Sequence, residues 1–139
     1  MKHKIAVIPI LMIILIIAMV GCSTEKKISD STNSDNSYQK ISSEAAKEMM
    51  DQDSSLIILD VRTAEEFNEG HIKGAVNISK TELESIVETA IQDKSSTILV
   101  YCLSGSRSAL ASQELSELGY LNVYDMGGIS DWKYEVVTD

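Results

Sequence analysis

Residues 97–118, TILVYCLSGSRSALASQELSEL, pass without a break from a strand pattern through a tight loop into a helix. Thr97-Ile-Leu-Val-Tyr101 suits a buried strand and runs straight into Cys102. Leu103-Ser-Gly-Ser106 forms a short loop of mostly small residues. From Arg107 the spacing of Leu110, Ala111, Leu115 and Leu118 predicts an amphipathic helix, with Gly119 as its stop. In such a unit several backbone N–H groups and the positive end of the helix dipole converge on the loop, which makes it an anion cradle. A thiol at the start of that loop has a lowered pKa, and the thiolate is the reactive form. Cys102 is therefore the candidate nucleophile.

The rest of the chain supplies the support such a unit needs. Ile41, Ala45 and Met49, with Ala46 and Met50, predict a helix capped by Ser42 or Ser43. Leu56-Ile-Ile-Leu59 is an apolar run expected of a strand covered on both faces, and Asp60 ends it. Thr63-Ala-Glu-Glu66 has the capping-box pattern and predicts a short helix carrying Phe67. Gly70-His-Ile-Lys-Gly-Ala75 supplies a turn and Val76-Asn-Ile78 a minimal strand. Thr81-Glu-Leu-Glu84 reads as a second capping box. It precedes the cleanest helical stripe in the chain, Leu83, Ile86, Val87, Ala90 and Ile91. Asn122-Val-Tyr124 predicts a last short strand, followed by Met126-Gly-Gly128 and by Ile129 to Trp132 packing back, Trp132 as a packing residue. The fold class expected is α/β, a small parallel sheet of about five strands flanked by helices on both faces. Reactive groups of such sheets lie at the carboxyl ends of the strands, where Cys102 and Asp60 both fall.

The N-terminus reads as a separate device. Lys2, His3 and Lys4 precede an apolar run from Ile5 to Val20, which closes on Gly21-Cys22. That is the charged, apolar, small order of a secretory signal, and the run is short for a comfortable spanning helix. The ending resembles the lipobox of bacterial lipoproteins, with Met19 where Leu is more usual. The resemblance implies cleavage before Cys22 and lipid on its thiol; an uncleaved N-terminal anchor is the alternative. Residues 1–21 are thus read as a signal peptide, 22–37 as a lipidated cysteine and polar tether, and 38–139 as the domain. Extracytoplasmic anchoring to a bacterial cell membrane is expected.

With Cys22 lipidated, Cys102 is the only free thiol, so no disulfide forms within the chain and its chemistry must involve another molecule. Removal of Lys2 and Lys4 takes Lys+Arg from 12 to 10 against 21 Asp+Glu, leaving a charge of −11. That acidity argues against nucleic acid as a partner. Arg62 and Arg107 are the only arginines, and both fall in segments singled out on other grounds. Asp60 is expected to orient loop backbone or pair with an arginine, and Arg62 to pair with Glu65 or Glu66. His71 is read as a turn-stabilising hydrogen-bonder, with a role beside the thiol as the alternative. One Cys and one His in the domain do not make up a metal site of usual ligand count, and no cofactor is expected.

Three stretches taken together resemble the rhodanese domain. They are Leu59-Asp-Val-Arg62 leading through Glu65-Glu-Phe67 to Gly70-His-Ile-Lys-Gly-Ala75, then Cys102-Leu-Ser-Gly-Ser-Arg107-Ser108, and then Met126-Gly-Gly-Ile-Ser-Asp-Trp132. The resemblance implies a persulfide chemistry, in which Cys102 takes a sulfane sulfur from a small-molecule donor such as thiosulfate or a persulfide. The sulfur then passes to a thiophilic acceptor, cyanide or a thiol. It also implies that the loop amides from Leu103 to Arg107 hold the terminal sulfur, with Ser104 and Ser106 as hydroxyl donors, Gly105 letting the backbone turn inward, and Arg107 near the anionic donor. Four residues separate Cys102 from Arg107, one fewer than in phosphatases of similar fold, and the tighter loop favours sulfur. A partner-dependent persulfide carrier or redox-sensing module, served by a protein thiol partner, is the alternative.

Overall fold

The computed structural model describes residues 37–138; the signal, Cys22 and nearly all of the tether lie outside them. In chain order the elements are β1 (Gln39–Lys40), α1 (Ser43–Gln52), β2 (Ile57–Asp60), α2 (Ala64–Glu69), β3 (His71–Ile72), β4 (Val76–Asn77), α3 (Leu83–Ala90), β5 (Thr97–Cys102), α4 (Ser106–Glu117), β6 (Asn122–Gly128) and β7 (Val136–Val137), with a short 3₁₀ turn at Ile129–Asp131. Five strands form one parallel sheet in the order β1-β6-β5-β2-β4. Among the described residues no helix is long and apolar enough to cross a membrane.

Strand β5 lies at the centre, and its pleat divides the core. Ile98, Val100 and Cys102 point into the cluster that holds Leu83 and Val87 of α3 and Ala111 and Leu115 of α4. Leu99 and Tyr101 point the other way, into the cluster that holds Ala46 of α1 and Met126 of β6. Because both faces are covered, the strand carries no polar residue between Ile98 and Tyr101, and all four are buried. Full burial of such aliphatic side chains stabilises by about 1.5–3 kcal/mol each.

Local chemistry accounts for most helix starts. The Ser42 side chain accepts the Ala45 N–H at the start of α1. The expected capping box opens α2: Thr63 Oγ1 accepts the Glu66 N–H and Glu66 Oε2 accepts the Thr63 N–H. The second expected box does not form. Glu82 occupies the cap of α3 in helical conformation with no side-chain cap bond. A turn with the Glu82 N–H on the Ser79 carbonyl precedes the helix, and Ser79 Oγ bonds the Glu82 carboxylate.

Three further expectations are corrected. Leu110 is 60 % exposed, because α4 turns Ser108, Ala111, Ser112, Leu115 and Ser116 to the sheet instead. The last sheet strand runs on to Gly128 rather than ending at Tyr124. A second, antiparallel pair, His71↔Val137 and Ile72↔Val136, draws residues expected as a turn into a two-stranded ribbon with a stretch after Trp132 for which no element is expected.

Candidate active site

Cys102 is the last residue of β5 and its side chain is buried. The chain turns at once, and α4 begins with Gly105 at its cap position, φ +99°, a left-handed conformation that side chains disfavour. Glycine offers no side chain to satisfy the first N–H groups of the helix. The sulfur takes that place: the Gly105 N–H donates to Cys102 Sγ at 3.1 Å. Burial works to raise the thiol pKa. The backbone N–H groups of Ser108, Gly105 and Ser104, with the Ser108 hydroxyl, outweigh it and bring the thiol below its ordinary value. Leu103, Ser104 and Ser106 are exposed around the sulfur, and Arg107 is partly buried beside them.

The loop is held from beneath by β6. Pairing with β5 runs in register to Val100↔Asp125 and resumes at Cys102↔Gly128, so two steps on β5 face three on β6. This bulge brings Gly128 under the loop, where a Cβ would lie 2.4 Å from the Leu103 carbonyl oxygen and 2.7 Å from Ser104 Cα. The Ser130 N–H donates to the same Leu103 carbonyl. Asp125, buried before the bulge, accepts the Gly127 N–H at 3.0 Å and the Ser108 hydroxyl at 2.7 Å, both on Oδ1. Its Oδ2 has no hydrogen-bond partner among the described residues. Sequence reasoning assigned no role to Ser108 or Asp125. The one available signal was an acidic residue among the apolar positions of Val123 to Met126.

The supporting residues divide into two groups. On the Tyr101 side of the sheet Arg62 is locked onto Asp60, not onto Glu65 or Glu66 as expected. Its Nη2 lies 2.6 Å from Asp60 Oδ2, and its Nε and backbone N–H donate to the same carboxylate. Nη2 also donates to the Gly70 carbonyl, and the Tyr101 hydroxyl accepts the Ile72 N–H. Burial and the Asp60 carboxylate push the Tyr101 phenol well above its usual value. His71 joins this knot: its Nδ1 donates to the Phe67 carbonyl at 3.1 Å and its ring stacks on Phe67 at 3.7 Å. Asp60, Arg62 and His71 thus fix the Gly70 turn.

On the other side Arg107 meets Glu66, two bonds in parallel: Nη1 to Oε2 at 2.7 Å and Nη2 to Oε1 at 2.8 Å. The Arg107 hydrogen bonds, helped by Thr63 and opposed by burial, hold the Glu66 carboxyl down at about 2. From the sequence Glu66 is expected only as half of a cap and a partner for Arg62. Among the described residues no group of three His, Cys, Asp or Glu side chains converges as metal ligands would. What this arrangement can do is hold a thiolate at the mouth of a ring of N–H donors and stabilise a negative atom placed beyond it.

The model of a protein family described as the rhodanese-like domain matches residues 42–135. The thiosulfate sulfurtransferase PspE of Escherichia coli strain K12 is 41% identical over 73 residues, which are 52% of this chain and 70% of that protein. The thiosulfate sulfurtransferase GlpE of Coxiella burnetii is 36% identical over 97 residues, 69% of this chain and 88% of its own length. Among solved structures, a rhodanese-related protein from Thermoplasma volcanium superposes with a TM-score of 0.64 at 32% identity, covering 73% of this chain and all of that one.

Proposed function

The chain belongs to the rhodanese-like domain family, and from that footing we propose how its site works: Cys102 is the nucleophile of a rhodanese-type sulfurtransferase. The Cys102 thiolate attacks the sulfane sulfur of a donor such as thiosulfate, the donor's S–S bond breaks, and sulfite leaves with the electron pair. The persulfide so formed gives its outer sulfur to cyanide or to an acceptor thiol, and the thiolate returns. No net oxidant is consumed. The observation that carries this reading is the Gly105 N–H on Cys102 Sγ at 3.1 Å, at the head of an uncapped helix. The same donors, with those of Ser104 and Ser108, act on the Cys102 sulfur and are the groups that would stabilise a second, negatively charged sulfur carried on it. Leu103, Ser106 and Arg107 complete the rim, while Asp60, Arg62 and His71 act by holding the neighbouring turn.

The cellular setting belongs to the same proposal. Residues 1–21 act as a signal peptide, lipid on Cys22 anchors the chain at the membrane, and 22–37 tether the 38–139 domain outside the cytoplasm. The charged, apolar, small order of the N-terminus supports this. A protein thiol outside the cytoplasm is then an available acceptor.

The test is the intact mass of the segment from Ser23 to Asp139, before and after thiosulfate and again after cyanide. Gain of a single sulfur at Cys102, removed by cyanide with thiocyanate formed, is expected, and Cys102→Ser abolishes it without loss of fold. Sulfur uptake by the Cys102→Ser protein overturns the nucleophile assignment.

A further inference from the structure

Resting on the sulfur-transfer reading, we infer that Glu66 sets the donor preference of the site, turning it away from the thiosulfate dianion and toward a persulfide carried on a thiol. A dianion approaching a thiolate needs positive charge to meet it. Among the described residues the site has two guanidiniums nearby, each already matched by a carboxylate, and Lys40, which lines a pocket with Ser104 and Gly105, shares it with Asp125 and Asp131. Arg62 is buried against Asp60 on the far side of the sheet. Arg107 is engaged end-on by both oxygens of Glu66. The loop itself brings no cation: its remaining side chains are those of Leu103, Ser104 and Ser106.

Glu66 is not a loose surface partner that a substrate can displace. Its Oε2 takes the Thr63 N–H as well as Arg107 Nη1, so the helix cap and the ion pair hold it together. The Arg107 hydrogen bonds hold the Glu66 carboxyl down at about 2, so it is ionised at neutral pH. The site therefore offers a ring of N–H dipoles and a compensated ion pair rather than a net positive field. Leu103, 48 % exposed at the rim, adds apolar surface for the body of a larger donor.

A persulfide R–S–SH meets these conditions. The Cys102 thiolate attacks the outer sulfur, the S–S bond of the persulfide breaks, and R–S⁻ leaves with the electron pair while the proton stays on the transferred sulfur. Charge is −1 on both sides of the step. The donor brings no sulfonate charge to the rim.

The experiment compares kcat/KM for thiosulfate and for 2-hydroxyethyl persulfide, whose R group is uncharged, with cyanide as acceptor, in the wild type and in Glu66→Gln at low and high salt. Glutamine still completes the helix cap, so the substitution removes the charge and keeps the box. The wild type is expected to favour the persulfide. Glu66→Gln raises kcat/KM for thiosulfate by roughly tenfold at low salt, a gain that shrinks at high salt, and alters the persulfide value far less. Ser106→Lys, which adds a cation to the exposed loop without touching the pair, moves thiosulfate in the same direction and serves if Glu66→Gln does not fold. An unchanged or lowered thiosulfate value in the folded variants overturns the inference and leaves the pair a structural clamp. Sulfur uptake from neither donor by the wild type would instead sink the sulfurtransferase reading itself.

Discussion

At the level of single residues, the site is a thiolate whose donors are mostly backbone, and one side chain stands out among them. The Ser108 hydroxyl donates to Asp125 Oδ1 at 2.7 Å, and it lies close enough to Cys102 to help hold the thiol below its ordinary pKa. Ser108→Ala removes a group that lowers the thiol pKa, and the pH midpoint of iodoacetamide alkylation is expected to move upward. The same change leaves a buried carboxylate with fewer donors and costs about 1–3 kcal/mol in urea unfolding. Cys102 and its loop were legible in the sequence because a thiol between a buried strand and a run of small residues is placed for chemistry rather than for packing. Ser108 was not: it looks like any helix serine until the bulge of β6 brings Asp125 to it. Arg62 was misread for a related reason. Spacing put Glu65 and Glu66 within reach, but Asp60 lies two residues back and buried, where a guanidinium is needed to neutralise it.

Among the elements, α3 was the easiest to foresee and α4 the hardest to orient. The stripe of α3 packs as read through Leu83 and Val87, although Ile86 and Ala90 stay exposed. Leu83→Ala is expected to destabilise by about 2–5 kcal/mol, measured by thermal or urea unfolding. In α4 the inward face includes three serines, Ser108, Ser112 and Ser116. Hydropathy reads serine as outward and so favoured Leu110, but close packing against β5 and β6 rewards small size. The end of β6 was invisible for a different reason, since a bulge is set by what lies across from it. Gly128→Ala places a methyl against loop backbone that cannot yield cheaply. The expected result is a folded protein with sulfur transfer reduced by about tenfold or more, read in the thiocyanate assay against an unchanged circular dichroism spectrum.

For the molecule as a whole, the α/β class and the parallel sheet followed from alternating strand and helix patterns, while the β3–β7 ribbon did not, because two-residue strands carry no period. The Glu66–Arg107 pair joins α2 to α4, and its effect on stability has a definite sign. The Glu66 carboxyl is held at about 2 against an ordinary 4.5, so its contribution is complete above 4.5 and disappears as the pH falls toward 2. The difference in Tm between the wild type and Glu66→Gln is expected to close over that range. Cys22→Ala is expected to abolish palmitate labelling and to change how the protein partitions with membranes; continued labelling would contradict the lipid anchor. The sheet order also bears on how the chain is made. β1, the first strand of the domain, pairs only with β6, Gln39 opposite Tyr124, and β6 is the last strand of that sheet to be synthesised. Its edge has nowhere to dock until nearly the whole domain has emerged, so the sheet closes late and through a contact distant in sequence. A polypeptide built in this order carries an unclosed sheet edge until its last strands are made.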